Sequence, residues 1–252
     1  MINQLLNKME GAYAENTIKA YRADFEVFTN WCKSNDLCPL PAEPETICDF
    51  ITFNMQTSTA STIRRRMASI RRIHKLARAD DPTKDEDVFL GLRRMHRKKG
   101  RWQRQAFAMT QEIRDQLIAI TDNSLKGYRD RALLLFAYDS MRRRSELCAC
   151  QWTDISTHPD GTGSWFLQFS KSDQEGYGNH IPLTIETMNA LQEWQDKAQL
   201  KKGKVLRGFL RHQQIGPSLN TSHIAKIFKS LAKKANLNEQ AKRNISGHSA
   251  RV

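Results

Sequence analysis

The stretch Ser61–Arg78, STIRRRMASIRRIHKLAR, reads as one long amphipathic helix with two unlike sides. Ile63, Met67, Ile70, Ile73 and Ala77 recur in steps of three and four, which lines them up as an apolar stripe. At 100° per residue, Arg64, Arg71, Lys75 and Arg78 gather on another side, with Arg65 and Arg72 beside them. Arg66 falls toward the apolar side, where its stem is expected to pack while its head reaches out. A core-facing stripe backed by a cationic ridge can lie against duplex DNA. The plainer alternative is a solvated basic face, which the near absence of acids in this stretch disfavours.

Moving toward the N-terminus, Ile47, Phe50, Ile51 and Met55 form the stripe of a second helix. Pro44 suits its first turn, because the missing N–H would be unpaired there in any case. The segment Leu40–Pro44 breaks the chain, and before it Ile18, Tyr21, Phe25, Phe28 and Trp31 mark another helix. Moving toward the C-terminus, Asp80-Asp81-Pro82 ends the basic helix, and a further helix is expected from Val88 to about His96. The run Arg93–Arg104, RRMHRKKGRWQR, then contains no acid. Residues 99–107 are expected to be a basic linker, with Arg101 tracking a phosphate backbone. The linker separates an N-terminal helical domain, residues 1–98, from a second domain, residues 108–252.

The second domain opens with a helix from Thr110 to Ile120, capped by Thr110. An apolar helix around Ala132–Tyr138 follows, then Met141–Leu147 turning into a short helix that ends near Trp152. Trp165–Phe169 reads as a strand and His180–Leu183 as its partner, with a polar turn holding Gly176 and Gly178 between them. Helices resume at Ile185–Ala198 and Thr221–Ala235. The expected fold is mainly α, with one small β-hairpin or sheet in the second domain.

The 252 residues carry a formal net charge of +13. A surplus of that size favours a polyanionic partner, most commonly nucleic acid. Hydrophobic residues make up 39%, enough for packed cores. No run of 18 apolar residues occurs, so no membrane span is expected, and the start MINQLLNKMEGAYAENT does not read as a signal peptide. Cys32, Cys38, Cys48, Cys148 and Cys150 match no zinc spacing and are expected to be buried free thiols in a reducing cytoplasm. Few aromatic residues lie among the basic ones outside the helix cores, which argues against stacking on single-stranded RNA.

Three features of the second half belong together. Arg143-Arg144-Ser145-Glu146-Leu147 sits at a turn, where Glu146 can hold an arginine from one turn later. Lys171 follows the first strand. His248 and Arg251, three apart, would share a helix face. Taken singly, these are a surface patch, one lysine of many and a chance pair. Together, two arginines, a histidine and a lysine suit a phosphodiester: guanidinium forks match the non-bridging oxygens. The histidine can donate a hydrogen bond or move a proton, and the lysine can protonate a departing oxygen. No cofactor and no metal is expected for such chemistry.

Arg143-x-Ser145-Glu146-Leu147, a lysine on a β-hairpin, and Ser246-Gly247-His248-Ser249-Ala250-Arg251-Val252 resemble the tyrosine recombinase (phage integrase) family, its Cre-like members above all. Trp31-Cys32-Lys33 and Pro41-Ala42-Glu43-Pro44-Glu45 are similar to that family's core-binding domain, so the resemblance spans nearly the whole chain. It implies an N-terminal SAM-like core-binding domain and a C-terminal catalytic domain, closing as a C-shaped clamp on double-stranded DNA. It implies site-specific recombination through a 3′-phosphotyrosyl intermediate, by a homotetramer on DNA, in a bacterial cytoplasm and associated with a plasmid or phage. Arg143 would be the first catalytic arginine and Glu146 its supporting acid, with Arg142 and Arg144 as alternatives to Arg143. Lys171 would be the general acid, and His248 and Arg251 the His-x-x-Arg pair. The family's nucleophilic tyrosine follows that pair, and Tyr13, Tyr21, Tyr128, Tyr138 and Tyr177 do not occupy its position. The sequence is therefore expected to be a piece ending before the nucleophile, binding DNA without cutting it. A non-catalytic DNA-binding protein is the alternative.

Overall fold

The computed structural model describes residues 2–102, 105–171, 173 and 175–251. Gln103 and Arg104 of the expected linker, and Val252 of the last motif, lie outside them. The chain forms two compact units, Met1–Gln103 and Arg104–Val252.

The first unit is helical: α1 (Ile2–Asn7), α2 (Glu15–Lys33), α3 (Pro44–Thr57), α4 (Ala60–Ala77) and α5 (Glu86–Lys99). The stripes read from the sequence form its core, where Phe25, Phe28, Ile47, Phe50, Ile63, Ile70 and Ile73 are buried. The Phe28 and Phe50 rings meet edge-on at 4.9 Å and fasten α2 to α3. Thr59 caps α4 by accepting from the Thr62 N–H. Asp85 caps α5 in the same way through Asp87, so that helix begins earlier than the expected Val88, and it runs on to Lys99. Arg66 departs from expectation: its guanidinium turns back to α3, donating to Asn54 and to Ser58 Oγ, instead of reaching outward. Asn54 is buried, so the arginine offsets a desolvation cost that an unpaired amide would carry.

The second unit contains α6 (Gln111–Ala119), α7 (Leu125–Ser140), α8 (Arg144–Ala149), β1 (Ile155–Thr157), β2 (Gly163–Leu167), β3 (Asn179–Leu183), α9 (Ile185–Lys197), α10 (Thr221–Lys234) and α11 (Glu239–Asn244), then a short 3₁₀ turn, Ser249–Arg251. Residues Ala132–Ala137 of α7 are buried on every side, which is why that segment lacks an amphipathic rhythm. The three strands pair antiparallel in the order β1-β2-β3, with Trp165 opposite Ile181. Phe136 packs on Trp165 at 4.9 Å and ties α7 to the sheet. Among the described residues no helix is long and apolar enough to cross a membrane.

The sheet differs in detail from the sequence reading. It has a third strand, β1, and β2 ends at Leu167 instead of Phe169. Phe169 lies in the loop, where its ring covers Gly176, whose φ of 82° suits glycine. Lys171 therefore lies on the loop and not directly at the strand's end. The cysteines also split: Cys32, Cys148 and Cys150 are buried, whereas Cys48 is half-buried and Cys38 exposed. Burial pushes the Cys148 thiol up to about 11, which leaves it unreactive as a nucleophile.

Candidate active site

The turn between α7 and α8 places the arginines. Met141 closes α7 in the left-handed region, with φ 49°, and its N–H reaches the Ala137 carbonyl. The chain then enters α8 with Arg143 as N-cap. Glu146, at the third helical position, accepts from the Arg143 backbone N–H at 2.9 Å and from Arg143 Nη1 at 2.9 Å. It is one side chain doing two jobs: it caps the helix and it fixes the guanidinium. Of the three consecutive arginines, Arg143 is the one bonded to Glu146. Arg142 has a buried Nε without a hydrogen-bond partner.

Glu146 also joins this turn to the β2–β3 loop, because the backbone N–H of Lys171 bonds the same carboxylate. Burial alone would push the carboxyl's pKa up. The hydrogen bonds from the Arg143 backbone and guanidinium, with the Lys171 backbone, outweigh it and hold the pKa below the usual carboxylate value. The loop has its own organiser. The Asp173 carboxylate accepts from the N–H groups of Gly176, Tyr177 and Gly178 at 2.9–3.2 Å, and the Asp173 N–H donates back to the Ser170 carbonyl at 3.2 Å. Lys171 stands between those two pinned residues and is exposed.

The third piece is the 246–251 turn. Ser249 is fully buried, and its Oγ accepts from the Ser246 N–H at 2.9 Å. Its carbonyl accepts from the Met109 N–H at 2.9 Å, tying the turn to the segment ahead of α6. His248 and Arg251 are both exposed and are linked by a 2.9 Å bond from the Arg251 N–H to the His248 carbonyl. Arg251 ends the 3₁₀ turn Ser249–Arg251 and His248 stands just before it, so neither lies in an α-helix. Residues three apart eclipse in 3₁₀ geometry, and the Arg251 guanidinium is near enough to act on the His248 imidazole. Gly247 is the hinge of the packing: a Cβ there would lie 2.1 Å from Arg144 Cδ, so the Arg144 stem runs across the glycine. Although the His248 residue is exposed overall, partial desolvation of its imidazole, followed by the guanidiniums of Arg144, Arg251 and Arg143, holds it below its ordinary pKa. The fold thus sets Arg143, Arg144, His248 and Arg251 in one electrostatic neighbourhood, with Lys171 tied in through Glu146. Arg144 and Gly247 were not singled out from the sequence as a pair. Their contact joins residues far apart in the chain, and no local pattern announces it.

In the first unit, the basic residues of α4 separate into two kinds. Arg64 and Lys75 are exposed and, among the described residues, form no salt bridge. Arg65 is bonded to Asp24 of α2, Arg71 pairs with Asp81 at 3.2 Å, and the Arg72 guanidinium sits 4.8 Å over the Tyr13 ring. Arg101 is exposed. It and Arg64 both act on His96 of α5, which is held low first by burial and then by these two charges. Among the described residues no group of three His, Cys, Asp or Glu is placed to hold a metal ion.

Residues 108–252 match the phage integrase family, and residues 2–80 match the N-terminal SAM-like domain of phage integrases. The chain belongs to the phage integrase family. By descent it is a tyrosine-type site-specific recombinase. An integrase/recombinase xerD homolog from Selenomonas ruminantium is 32% identical over 255 residues, covering 97% of this chain and 74% of that protein. Recombinase cre of Escherichia phage P1 is 24% identical over 189 residues, covering 73% of this chain and 55% of that one. Among solved structures, a lambda integrase (75–356) dimer bound to a COC′ core site aligns with a TM-score of 0.67 at 14% identity, over 99% of this chain and 81% of that one. At that identity the likeness is one of fold, and it accounts for the helical first unit and the small sheet of the second.

Proposed function

We propose that this phage integrase binds double-stranded DNA and that Arg143, His248 and Arg251 hold the phosphate for strand cleavage and rejoining, with Lys171 as general acid and the attacking tyrosine not among Tyr13, Tyr21, Tyr128, Tyr138 and Tyr177. The observation that carries the reading is Glu146, whose single carboxylate fixes Arg143 and at the same time tethers the Lys171 loop. The recombinase family and DNA-bound structural relatives, including a lambda integrase tetramer bound to a Holliday junction, support DNA as substrate and a tetramer as the working assembly.

In this mechanism a tyrosine oxygen attacks phosphorus and forms the 3′-phosphotyrosyl bond, while the bond to the 5′-oxygen breaks. The guanidiniums of Arg143 and Arg251 take the charge that builds on the non-bridging oxygens. Lys171 delivers a proton to the 5′-oxygen as it leaves. The depressed pKa of His248 keeps its ring neutral at pH 7, able to accept the phenolic proton or to donate a hydrogen bond to the phosphate. A 5′-hydroxyl from a second duplex then reverses the step, so bond energy is conserved. In the family the attacking tyrosine follows the His-x-x-Arg pair, whereas Tyr13, Tyr21, Tyr128, Tyr138 and Tyr177 precede it here, so residues 1–252 alone are expected to bind DNA without cutting it.

A sulfur atom in place of the bridging 5′-oxygen tests the assignment, because a thiolate leaves without a proton. Lys171→Ala should slow cleavage of the ordinary duplex by about 10²- to 10⁴-fold. On the sulfur-bridged duplex it should cleave at close to the wild-type rate. Equal losses on both substrates would remove Lys171 from the role of acid.

A further inference from the structure

Arg65 is bound in a way that separates it from the other basic residues of α4. Its Nε donates to Asp24 Oδ2 at 2.9 Å and its Nη2 to Asp24 Oδ1 at 2.8 Å, so one whole edge of the guanidinium is used. Asp24 is buried on α2 and is itself held by Ser69 Oγ at 3.0 Å. The two partners are very differently exposed: 3% of the Asp24 side chain against 60% of Arg65. The acid therefore fixes the guanidinium from below, and the arginine's outer edge faces solvent. That outer edge, Nη1 with the second N–H of Nη2, is a pair of parallel donors in a fixed orientation.

A parallel donor pair fits two features of duplex DNA. One is the O6 and N7 acceptor pair of guanine in the major groove, and the other is a phosphate. The charge balance chooses between them. The Arg65–Asp24 pair is neutral overall, so the long-range attraction that draws a cation to phosphate is largely cancelled. The directional bonding of the free edge is untouched, and its ordering cost has been met by Asp24 before any DNA arrives. Arg64 and Lys75, with uncompensated charge, are the residues suited to phosphates.

We propose that Arg65 reads a guanine edge in the major groove and that Asp24 is the positioning residue that aims it. This rests on duplex DNA being the ligand. Selecting duplexes from a random pool with residues 1–252, at fixed salt, tests both. The wild-type protein should show a guanine preference of roughly 5- to 150-fold at one position of the selected site, the factor a bidentate arginine contributes. Arg65→Ala should erase that preference and leave the other positions as they were. Arg65→Lys keeps a positive charge beside Asp24, but an ammonium drawn to Asp24 has no second edge to offer, so the preference should go while the salt dependence stays. Asp24→Asn, which touches no base, should weaken discrimination at the same position and no other. Thermal melting of each variant shows that it is folded, and Arg65→Lys serves where Arg65→Ala is not.

An Arg65→Lys protein that keeps the full guanine preference overturns the proposal. So does an Arg65→Ala protein that loses affinity equally for every sequence, with a salt slope lower by about one, the mark of a phosphate contact. A wild-type protein that retains no duplex at all brings down the DNA reading itself, a different result from duplex binding that ignores Arg65.

Discussion

Glu146 is mostly buried and still charged, because three donors converge on it: two from Arg143 and one from the Lys171 backbone. Removing it leaves those groups facing each other without a counter-charge. Glu146→Ala should lower unfolding free energy by about 1–3 kcal/mol, measured in urea, since the partner arginine is only partly exposed. Cleavage should fall further than stability does, because both the arginine and the lysine loop lose their anchor. Equal stability in both proteins would mean that the carboxylate is not the junction described.

His74 makes a second residue-scale prediction. It is fully buried in α4, with Nδ1 against the Ile70 carbonyl at 2.9 Å and Nε2 accepting from the Ala42 N–H at 3.0 Å. Burial holds its pKa below 6.5, and a second ring proton would break the bond to Ala42. The unfolded chain therefore takes up this proton first as pH drops. The stability that neutral His74 contributes is complete above pH 6.5 and declines below it, down to the lower folded-state pKa. Unfolding titrations at pH 7.5 and 5.5 should show this loss in the wild type and a smaller one in His74→Gln. A pH dependence identical in the two proteins would contradict it.

At the scale of elements, the decisive contact is the 246–251 turn lying across the stem of Arg144. Gly247→Val puts branched carbons where Arg144 Cγ and Cδ already stand, so the turn or the arginine must move. Cleavage should fall by about 10²-fold or more, the cost of roughly 1 Å of misplacement in a catalytic group. Duplex binding by the first unit's helices should persist. A Gly247→Val protein that cleaves normally would show that the turn has freedom this packing denies.

The same scale shows why some elements were legible in the sequence and others were not. Helices α2, α3 and α4 each bury one face, and a one-faced helix writes a 3.6-residue rhythm into its sequence. The segments α1, α11 and β1 have six, six and three residues, too few for any period to stand out. Of the candidate site, the residue types and their order were readable. The junction through Glu146 to the Lys171 backbone was not, because a main-chain donor carries no sequence signal. The difference between Arg64 and Arg65 was hidden for a related reason. On a helical wheel both belong to a cationic ridge, and only the acid on the neighbouring helix tells them apart.

For the whole molecule, the +13 charge predicts binding that weakens steeply with salt. Arg64→Ala and Lys75→Ala should each reduce the slope of log affinity against log salt by about one, for all duplex sequences alike. Slopes unchanged in both variants would take α4's outer face away from the phosphate backbone.

The central claim is that a phosphate is cut at the site built from Arg143, Lys171, His248 and Arg251. The most direct measurement is the yield of covalent protein–DNA adduct on a nicked duplex that carries the target site. The protein should be expressed from its complete reading frame and resolved under denaturing conditions. The account predicts a 3′-phosphotyrosyl adduct with the wild type, a loss of at least about 10²-fold with Arg143→Ala or Arg251→Ala, and unchanged duplex retention on native gels. An adduct that forms at the wild-type rate in both arginine variants, or no adduct with the wild type on its own target, would contradict it.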